Sequence, residues 1–471
     1  MNNDNTLSPA ASSVTATTVC VIGAGYVGLT AAACLSELGH EVRCVESDPH
    51  RLAALIRGEI PIYEPGTEEL VTRHTSTGRL TFTADTAAAM RGVTVAMLCV
   101  GTPPRSDGEP DLRQLGRAAT EVAASATTNV ALVVKSTVPP GTCEALELFV
   151  GGQARDGAWV RVVSNPEFLR EGRAVWDFFN PDRVVVGADD PALGQQVADL
   201  YPSDWPLIQC SRRSAELVKY ASNTFLAVKI SFANEVAALC EALGAETDKV
   251  LGGVGLDARI GKAFLAPGPG FGGSCLPKDL SGFIAVAESA GRPAEVARAA
   301  QRANDAALVS VITKVESALG SLQGRTIAVL GLAFKAGTDD TRFSPALALV
   351  RGLALRGAHV RVHDPIASVS DPDVCQLDTP YAAAQGADAL IIATGWPEYH
   401  DLDPTQLYHA MAGHVLVDAV GVSAIEPLHD VGFDVYGVGR GLATSFAPVL
   451  WRPLEWMLDA GQPSAIASRE H

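Results

Sequence analysis

Residues 18–46 read TVCVIGAGYVGLTAAACLSELGHEVRCVE. A short run rich in β-branched residues, Thr18–Ile22, enters the glycine turn Gly23-Ala24-Gly25-Tyr26-Val27-Gly28. A helix-like stretch follows, and then a second apolar strand that ends at Glu46. Strand, glycine turn, helix and strand make a βαβ unit with two parallel strands. In that setting the G-x-G-x-x-G spacing has a physical meaning. Gly23 permits the tight turn, Gly25 lets the backbone approach a pyrophosphate, and Gly28 lets the helix pack on the strand. Free N–H groups at the helix start, Tyr26 and Val27 among them, favour an anion. Glu46 follows Gly28 by eighteen residues. A carboxylate there accepts from both ribose hydroxyls and repels a 2′-phosphate, so NAD is predicted over NADP.

Working outward, strand-like runs recur at 93–100, 130–135 and 160–163, so residues 17–209 are predicted to form one doubly wound α/β domain. Over 210–322 the texture becomes helical. Residues 214–241 contain no Pro or Gly and predict one helix of about eight turns. An apolar-striped helix of that length between two α/β units is a common subunit interface, and at least a dimer is predicted. At Gly324 the strand texture returns, with runs at 326–330, 359–363, 389–394 and 415–418. Residues 323–459 thus read as a second, smaller doubly wound domain. Residues 1–16 and 460–471 read as polar tails.

Composition narrows the function. Hydrophobic residues make up 47% and charged residues 19% of the 471, a globular balance. The net charge of −17 argues against a nucleic-acid binder. It also requires that an anionic ligand be held by local cations and helix ends. Nine scattered Cys suit free thiols in a reducing cytoplasm better than a disulfide framework. Their spacing suggests no structural zinc, so no metal is expected. No run of about 18 apolar residues predicts a membrane span.

The chemistry centres on residues 264–279, FLAPGPGFGGSCLPKD. A Pro- and Gly-dense run is neither ordinary helix nor strand, and it brings backbone N–H groups close to a bound group. Cys275 stands just ahead of Pro277, which suits the first turn of a helix. A thiol at a helix N-terminus near Lys278 is expected to have a lowered pKa. Most Cys are small inert hydrophobes, and the other eight are read that way. Lys219 and Asn223, at i and i+4, share one helix face. Both are residue types that hold an alkoxide or thiohemiacetal oxygen. Thr102 and Thr137, in loops after two strands, offer hydroxyls to the same crevice.

Assembled, these segments resemble the UDP-glucose/GDP-mannose dehydrogenase family, most closely its UDP-glucose-oxidising members. The likeness runs from about residue 17 to 450. It rests on VIGAGYVGL, GEIPIYEPG, VGTPP, KSTVPPGT, NPEFLREG, the Lys219/Asn223 helix, DARIGKAFLAPGPGFGGSCLPKD, GLAFKAGTDDTRFSPAL and GVGR. The resemblance implies two Rossmann-like domains and a four-electron oxidation, in which UDP-glucose, two NAD and water give UDP-glucuronate. It implies that Cys275 forms a thiohemiacetal and then a thioester. Lys219 and Asn223 would stabilise oxyanions. Asp279, through water shared with Thr137, would assist proton transfers, and Glu167 is a candidate base for hydrolysis. On the cofactor side the resemblance adds Glu171, Lys278 and Arg342. On the substrate side it adds Phe168, Leu169, Phe264, Leu265, Gly272, Phe334, Lys335 and Arg440. Arg259 would act across a homodimer. Two departures stand out: Glu46 where the family usually has Asp, and KAGTDD where KPNTDD is more usual.

The nearest competing reading is the same chemistry on GDP-mannose or a UDP-N-acetylhexosamine. Enzymes for UDP-N-acetylmannosamine typically carry His where this chain has Ser274. A two-electron 2-hydroxy-acid dehydrogenase would need no reactive Cys. A non-catalytic sensor would bind but form no NADH.

Overall fold

The computed structural model describes residues 14–440, apart from 106–107, 155–156 and 371–373. Most of the expected N-terminal tail, the end of the second domain and the whole of 460–471 lie outside the described residues.

Val, Leu and Ile dominate the strands because both faces of each sheet are covered. The first sheet contains β1 (Thr18–Ile22), β2 (Glu41–Val45), β3 (Leu80–Thr83), β4 (Val95–Leu98), β5 (Val130–Val134), β6 (Val160–Ser164), β7 (Val184–Gly187) and β8 (Leu207–Cys210). Their order is β3-β2-β1-β4-β5-β6-β7-β8, parallel except where β7 meets β6. The direction of winding reverses between β1 and β4. The carboxyl ends of those two strands therefore open the crevice where such sheets bind ligands. The second sheet contains β9 (Thr326–Leu330), β10 (His359–His363), β11 (Cys375–Gln376), β12 (Ala389–Ile392), β13 (Val415–Asp418) and β14 (Asp434–Gly437). Its order, β11-β10-β9-β12-β13-β14, repeats the same winding with every pair parallel. Two doubly wound sheets joined by helices are what the sequence predicts.

Between the sheets runs the helix Arg212–Leu243, 32 residues long. Its ends follow capping chemistry. Ser211 accepts from the Ser214 N–H, and Gly244 takes a left-handed conformation at the other end. These caps extend the helix two residues beyond the predicted 214–241 at each end. It packs against the helices Leu276–Ser289 and Glu295–Leu319. The contact is close because Ala227, Ala294 and Ala297 are small and buried, and because Gly282 leaves room for the Tyr220 ring.

Close approach is also the reason for Gly28. A Cβ there would collide with the Gly23 carbonyl oxygen, which belongs to the turn that feeds the helix. Gly28→Ala is expected to cost ~1–3 kcal/mol through overpacking and to weaken NAD binding. Equilibrium unfolding and an NAD titration check both.

Candidate active site

The dinucleotide turn comes first. Gly23 has φ +100°, a conformation that side chains resist. A Cβ on Gly25 would meet nothing within 4 Å, so its backbone faces open space. The helix Tyr26–Glu37 has no side-chain cap, which leaves its first N–H groups for an anion. Glu46 is buried at the end of β2 and accepts from the N–H groups of Ala24 (3.1 Å) and Asp48 (2.8 Å). Arg51 lies 3.3 Å from the same carboxylate. Free N–H groups, space and a carboxylate at these positions fit a dinucleotide. Thr102 donates its hydroxyl to the Thr137 carbonyl (2.9 Å), tying together the loops after β4 and β5.

One link was not readable in the sequence. The Tyr26 hydroxyl bonds to Glu64, which also accepts from the N–H groups of Gly172 (2.6 Å) and Ala174 (2.7 Å). Glu64, from the IPIYEPG segment, thus pins the dinucleotide turn to the NPEFLREG loop. Burial raises its carboxyl to about 7, against these hydrogen bonds.

Beside this crevice lies a cavity of about 810 Å³. Cys275, Lys219, Asn223, Glu167, Phe168, Leu169, Phe264, Gly272, Phe334 and Lys335 all line it. Residues far apart in sequence meet because the long helix presents three buried polar groups to three separate segments. Glu216 accepts from the N–H groups of Gly141 (2.6 Å) and Cys143 (2.7 Å), just past the Thr137 loop. Lys219 pairs with Glu167 at 2.9 Å. Asn223 donates to Asp279 at 2.5 Å.

The charges in this cavity follow from burial and pairing. Burial alone would lower Lys219, but Glu167, Cys275 and Asp279 outweigh it and hold the ammonium charged. Burial alone would raise Glu167, but Lys219 and the Leu169 N–H hold it below the usual carboxylate range. Burial lowers Lys335, which Glu171 and Glu64 partly offset.

The expectation for the thiol is corrected, and the other expected residues take up definite surroundings. The Cys275 thiol is raised rather than lowered: burial dominates, and the Lys219 charge offsets only part of it. The cation facing the sulfur is Lys219, because Lys278 is drawn to Asp279 at 2.5 Å. Leu265 does not line the cavity but packs with Ala233 and Leu251. Arg440 is also outside the lining and reaches Asp248 at 3.1 Å. Arg259 is exposed and paired with its neighbour Asp257 at 2.6 Å. Asp279 is fully buried behind the cavity wall, held by Asn223 and Lys278. Glu171 and Arg342 lie together, 3.7 Å apart, with Asp340 bonded to Arg342 at 2.6 Å.

The cavity also contains cations that sequence reading passed over. Lys135 is buried directly after five apolar residues of β5, within 3.1 Å of Asn165 Oδ1 and 3.3 Å of the Tyr201 hydroxyl. A Lys at the carboxyl end of a fully buried strand was the available signal. The Arg183 guanidinium stacks 3.9 Å from the Phe168 ring centre, and no local pattern announces it. Among the described residues no cluster of His, Cys, Asp and Glu could hold a metal, and no helix is long and apolar enough to cross a membrane.

A dinucleotide turn opening beside a cavity that presents a thiol and a buried ammonium defines a dinucleotide-dependent oxidoreductase. Comparison with known proteins names the group. Residues 17–203 match the NAD binding domain of the UDP-glucose/GDP-mannose dehydrogenase family, 213–306 its central domain and 328–424 its UDP binding domain. The chain belongs to that family. It is 42% identical over 440 residues to UDP-glucose 6-dehydrogenase of Pseudomonas aeruginosa, covering 90% of this chain and 97% of the relative. It is 40% identical over 428 residues to UDP-glucose 6-dehydrogenase TuaD of Bacillus subtilis, covering 90% and 93%. Among solved structures, a UDP-glucose dehydrogenase from the hyperthermophilic archaeon Pyrobaculum islandicum superposes with TM-score 0.85 at 40% identity, covering 92% of this chain and 99% of that one. A UDP-D-ManNAc dehydrogenase from Pyrococcus horikoshii superposes with TM-score 0.82 at 29% identity, covering 90% and 99%.

Removing one member of a buried ion pair strands the other. Lys219→Met is therefore expected to cost ~3–5 kcal/mol of stability. Lys219→Met/Glu167→Gln should recover most of that loss while staying inactive, as denaturant unfolding and an activity assay would show.

Proposed function

We propose that this chain oxidises the primary alcohol of UDP-glucose to a carboxylate, through an aldehyde and a thioester on Cys275. The observation that carries this is a thiol, a charged ammonium and an amide lining one cavity: Cys275, Lys219 and Asn223. The relatives named for UDP-glucose support the choice of sugar. Bound NAD, held by the Gly23–Gly28 turn and Glu46, supplies hydride acceptance in both oxidations.

The chain's own residues do the rest. The Cys275 sulfur adds to the aldehyde carbon and keeps the half-oxidised sugar in place. Lys219, with its charge secured by Glu167, faces the oxygen that gains negative charge, and Asn223 donates beside it. Asp279 fixes Asn223 and, with Thr137, assists proton transfer through water. Glu167 accepts a proton in thioester hydrolysis. Its low basicity in the resting pair means that Lys219 must shift toward the substrate oxygen first. Glu171, Lys278 and Arg342 flank the cofactor side. Lys335 and the Phe334, Phe264 and Phe168 rings hold the nucleotide end. Arg440 joins them only by leaving Asp248.

The working unit is a homodimer. Leu217, Phe225, Phe232, Leu239 and Leu243 stand exposed along the long helix at seven- or eight-residue steps and then four, one apolar stripe left open among the described residues. Exposed Leu256 and Ile260 continue the apolar surface. Arg259, beside Ile260, is then positioned to reach a partner's site. Nine free thiols favour a cytoplasmic enzyme.

Purified enzyme with UDP-glucose should form about two NADH per sugar, from successive alcohol and aldehyde oxidations. GDP-mannose and UDP-N-acetylmannosamine should be poor substrates. Cys275→Ser should lower turnover by a factor on the order of 10³ or more while still binding UDP-glucose. Full turnover by that variant, or one NADH per sugar in the wild type, would exclude the thioester route.

A further inference from the structure

Glu167 and Asp279 face the thiol and Asp340 lies beside Glu171, and all three are committed. Glu167 accepts from Lys219 and the Leu169 N–H. Asp279 accepts from Asn223 and Lys278. Asp340 accepts from the Arg342 guanidinium and its N–H. Glu171 differs. Its Oε1 accepts the Ser274 hydroxyl at 2.9 Å and lies 3.7 Å from the Arg342 guanidinium, and its Oε2 is buried without a hydrogen-bond donor. The Ser274 hydroxyl also lies 3.6 Å from the Cys275 sulfur. The backbone just before it is closely packed: Gly273 has φ +82°, and a Cβ there would meet the Phe334 ring.

We propose that Ser274 and Glu171 form a proton relay that deprotonates Cys275 as its sulfur attacks. The inference rests on the reading of Cys275 as the nucleophile. As the S–C bond to the aldehyde forms, the S–H bond breaks. Ser274 takes that proton and passes its own to Glu171, and the carbonyl electron pair moves to the oxygen facing Lys219. No further oxidant or reductant enters this step.

The surrounding charges suit the task. Burial and the nearby Asp340 carboxylate raise Glu171 to about 7, against Ser274 and Arg342. Lys335 faces it from the second sheet. The thiol faces Lys219, Glu167, Asp279 and Arg342. Because the thiol is itself raised, it stays protonated at neutral pH and needs a base during attack. The sign follows from Glu171. Below about pH 7 it holds a proton and accepts none; above, it is ionised and the relay is open.

The test is alkylation of the full-length enzyme by iodoacetamide across pH 6–9, with Cys275 modification followed by peptide mass spectrometry. Wild-type enzyme should show a rate inflection near pH 7. Ser274→Ala and Glu171→Gln should lose it and react at least about tenfold more slowly at pH 7.5, general-base assistance being worth ~10²–10⁴. Ser274→Thr, which keeps the hydroxyl, should restore the inflection. Circular dichroism and the denaturant unfolding midpoint identify the folded variants, and if Glu171→Gln does not fold, the two Ser274 variants decide. An inflection near pH 7 that persists in folded Ser274→Ala overturns the relay. If Cys275→Ser also retains full turnover, the nucleophile reading has failed as well. If Cys275 proves essential, only the relay has.

Discussion

A single charge under the protein surface organises this molecule. The Lys219 ammonium is buried, and burying it alone would be prohibitive. Glu167 meets it at 2.9 Å, and that requirement fixes the NPEFLREG loop against the long helix. Once the loop is fixed, Phe168 lies under both Lys219 and Arg183, and Glu171 lies beside Ser274. One turn either side of Lys219, Glu216 and Asn223 secure two further segments by the same device, a buried polar group satisfied across an element boundary. The helix is therefore the ruler against which the polar groups of the cavity are set, and its rigidity comes from the small-residue packing of its inner face.

The two sheets wind identically, yet they treat the ends of their second strands differently. At the end of β2, Glu46 keeps the turn open: Gly25 faces empty space and the helix start is uncapped. At the end of β10, Asp364 occupies the corresponding place and is saturated. It accepts from the N–H groups of Leu332, Ala333, Ile366 and Ala367 and from the Trp396 indole. Trp396 is buried in the core there. A carboxylate with no free lone pair, covered by an indole, offers nothing to a ribose. The second domain keeps the winding and gives up the dinucleotide site, which leaves Phe334 and Lys335, just past β9, facing the shared cavity.

Much of this was legible before any coordinates. The first βαβ unit, the long helix and the second sheet follow from periodicity and glycine placement, because those signals are local. The short strands β3, β7, β8, β11 and β14 were passed over: each has two to four residues and pairs at or near an edge, where pattern is weak. Glu64, Lys135 and Arg183 were missed because each matters through a partner far away in the chain. Tyr26 and Glu64 are 38 residues apart, and Glu64 and Gly172 are 108 apart. The thiol was misjudged for a related reason. A helix start and an adjacent lysine are visible in sequence, but the depth of a cavity is not, and at Cys275 desolvation outweighs the Lys219 charge that faces the sulfur.

That misjudgement has a chemical consequence. A permanent thiolate beside the reacting sugar would confront Glu167 and Asp279 across a short distance and would neutralise Lys219, the charge that the oxyanion requires. On the proposed route, a neutral resting thiol leaves the ammonium field undivided for the alcohol and aldehyde oxygens. It also makes the sulfur slow to react with anything that does not bring its own electrophilic carbon into the cavity. The cost is that the proton must leave during the attack itself, which calls for an acceptor that is near, keeps one oxygen free of hydrogen bonds and is close to neutral in basicity. Among the carboxylates that face Cys275 directly or through Ser274, Glu171 meets all three conditions, and it does so because the buried ion pairs on either side have already claimed the others.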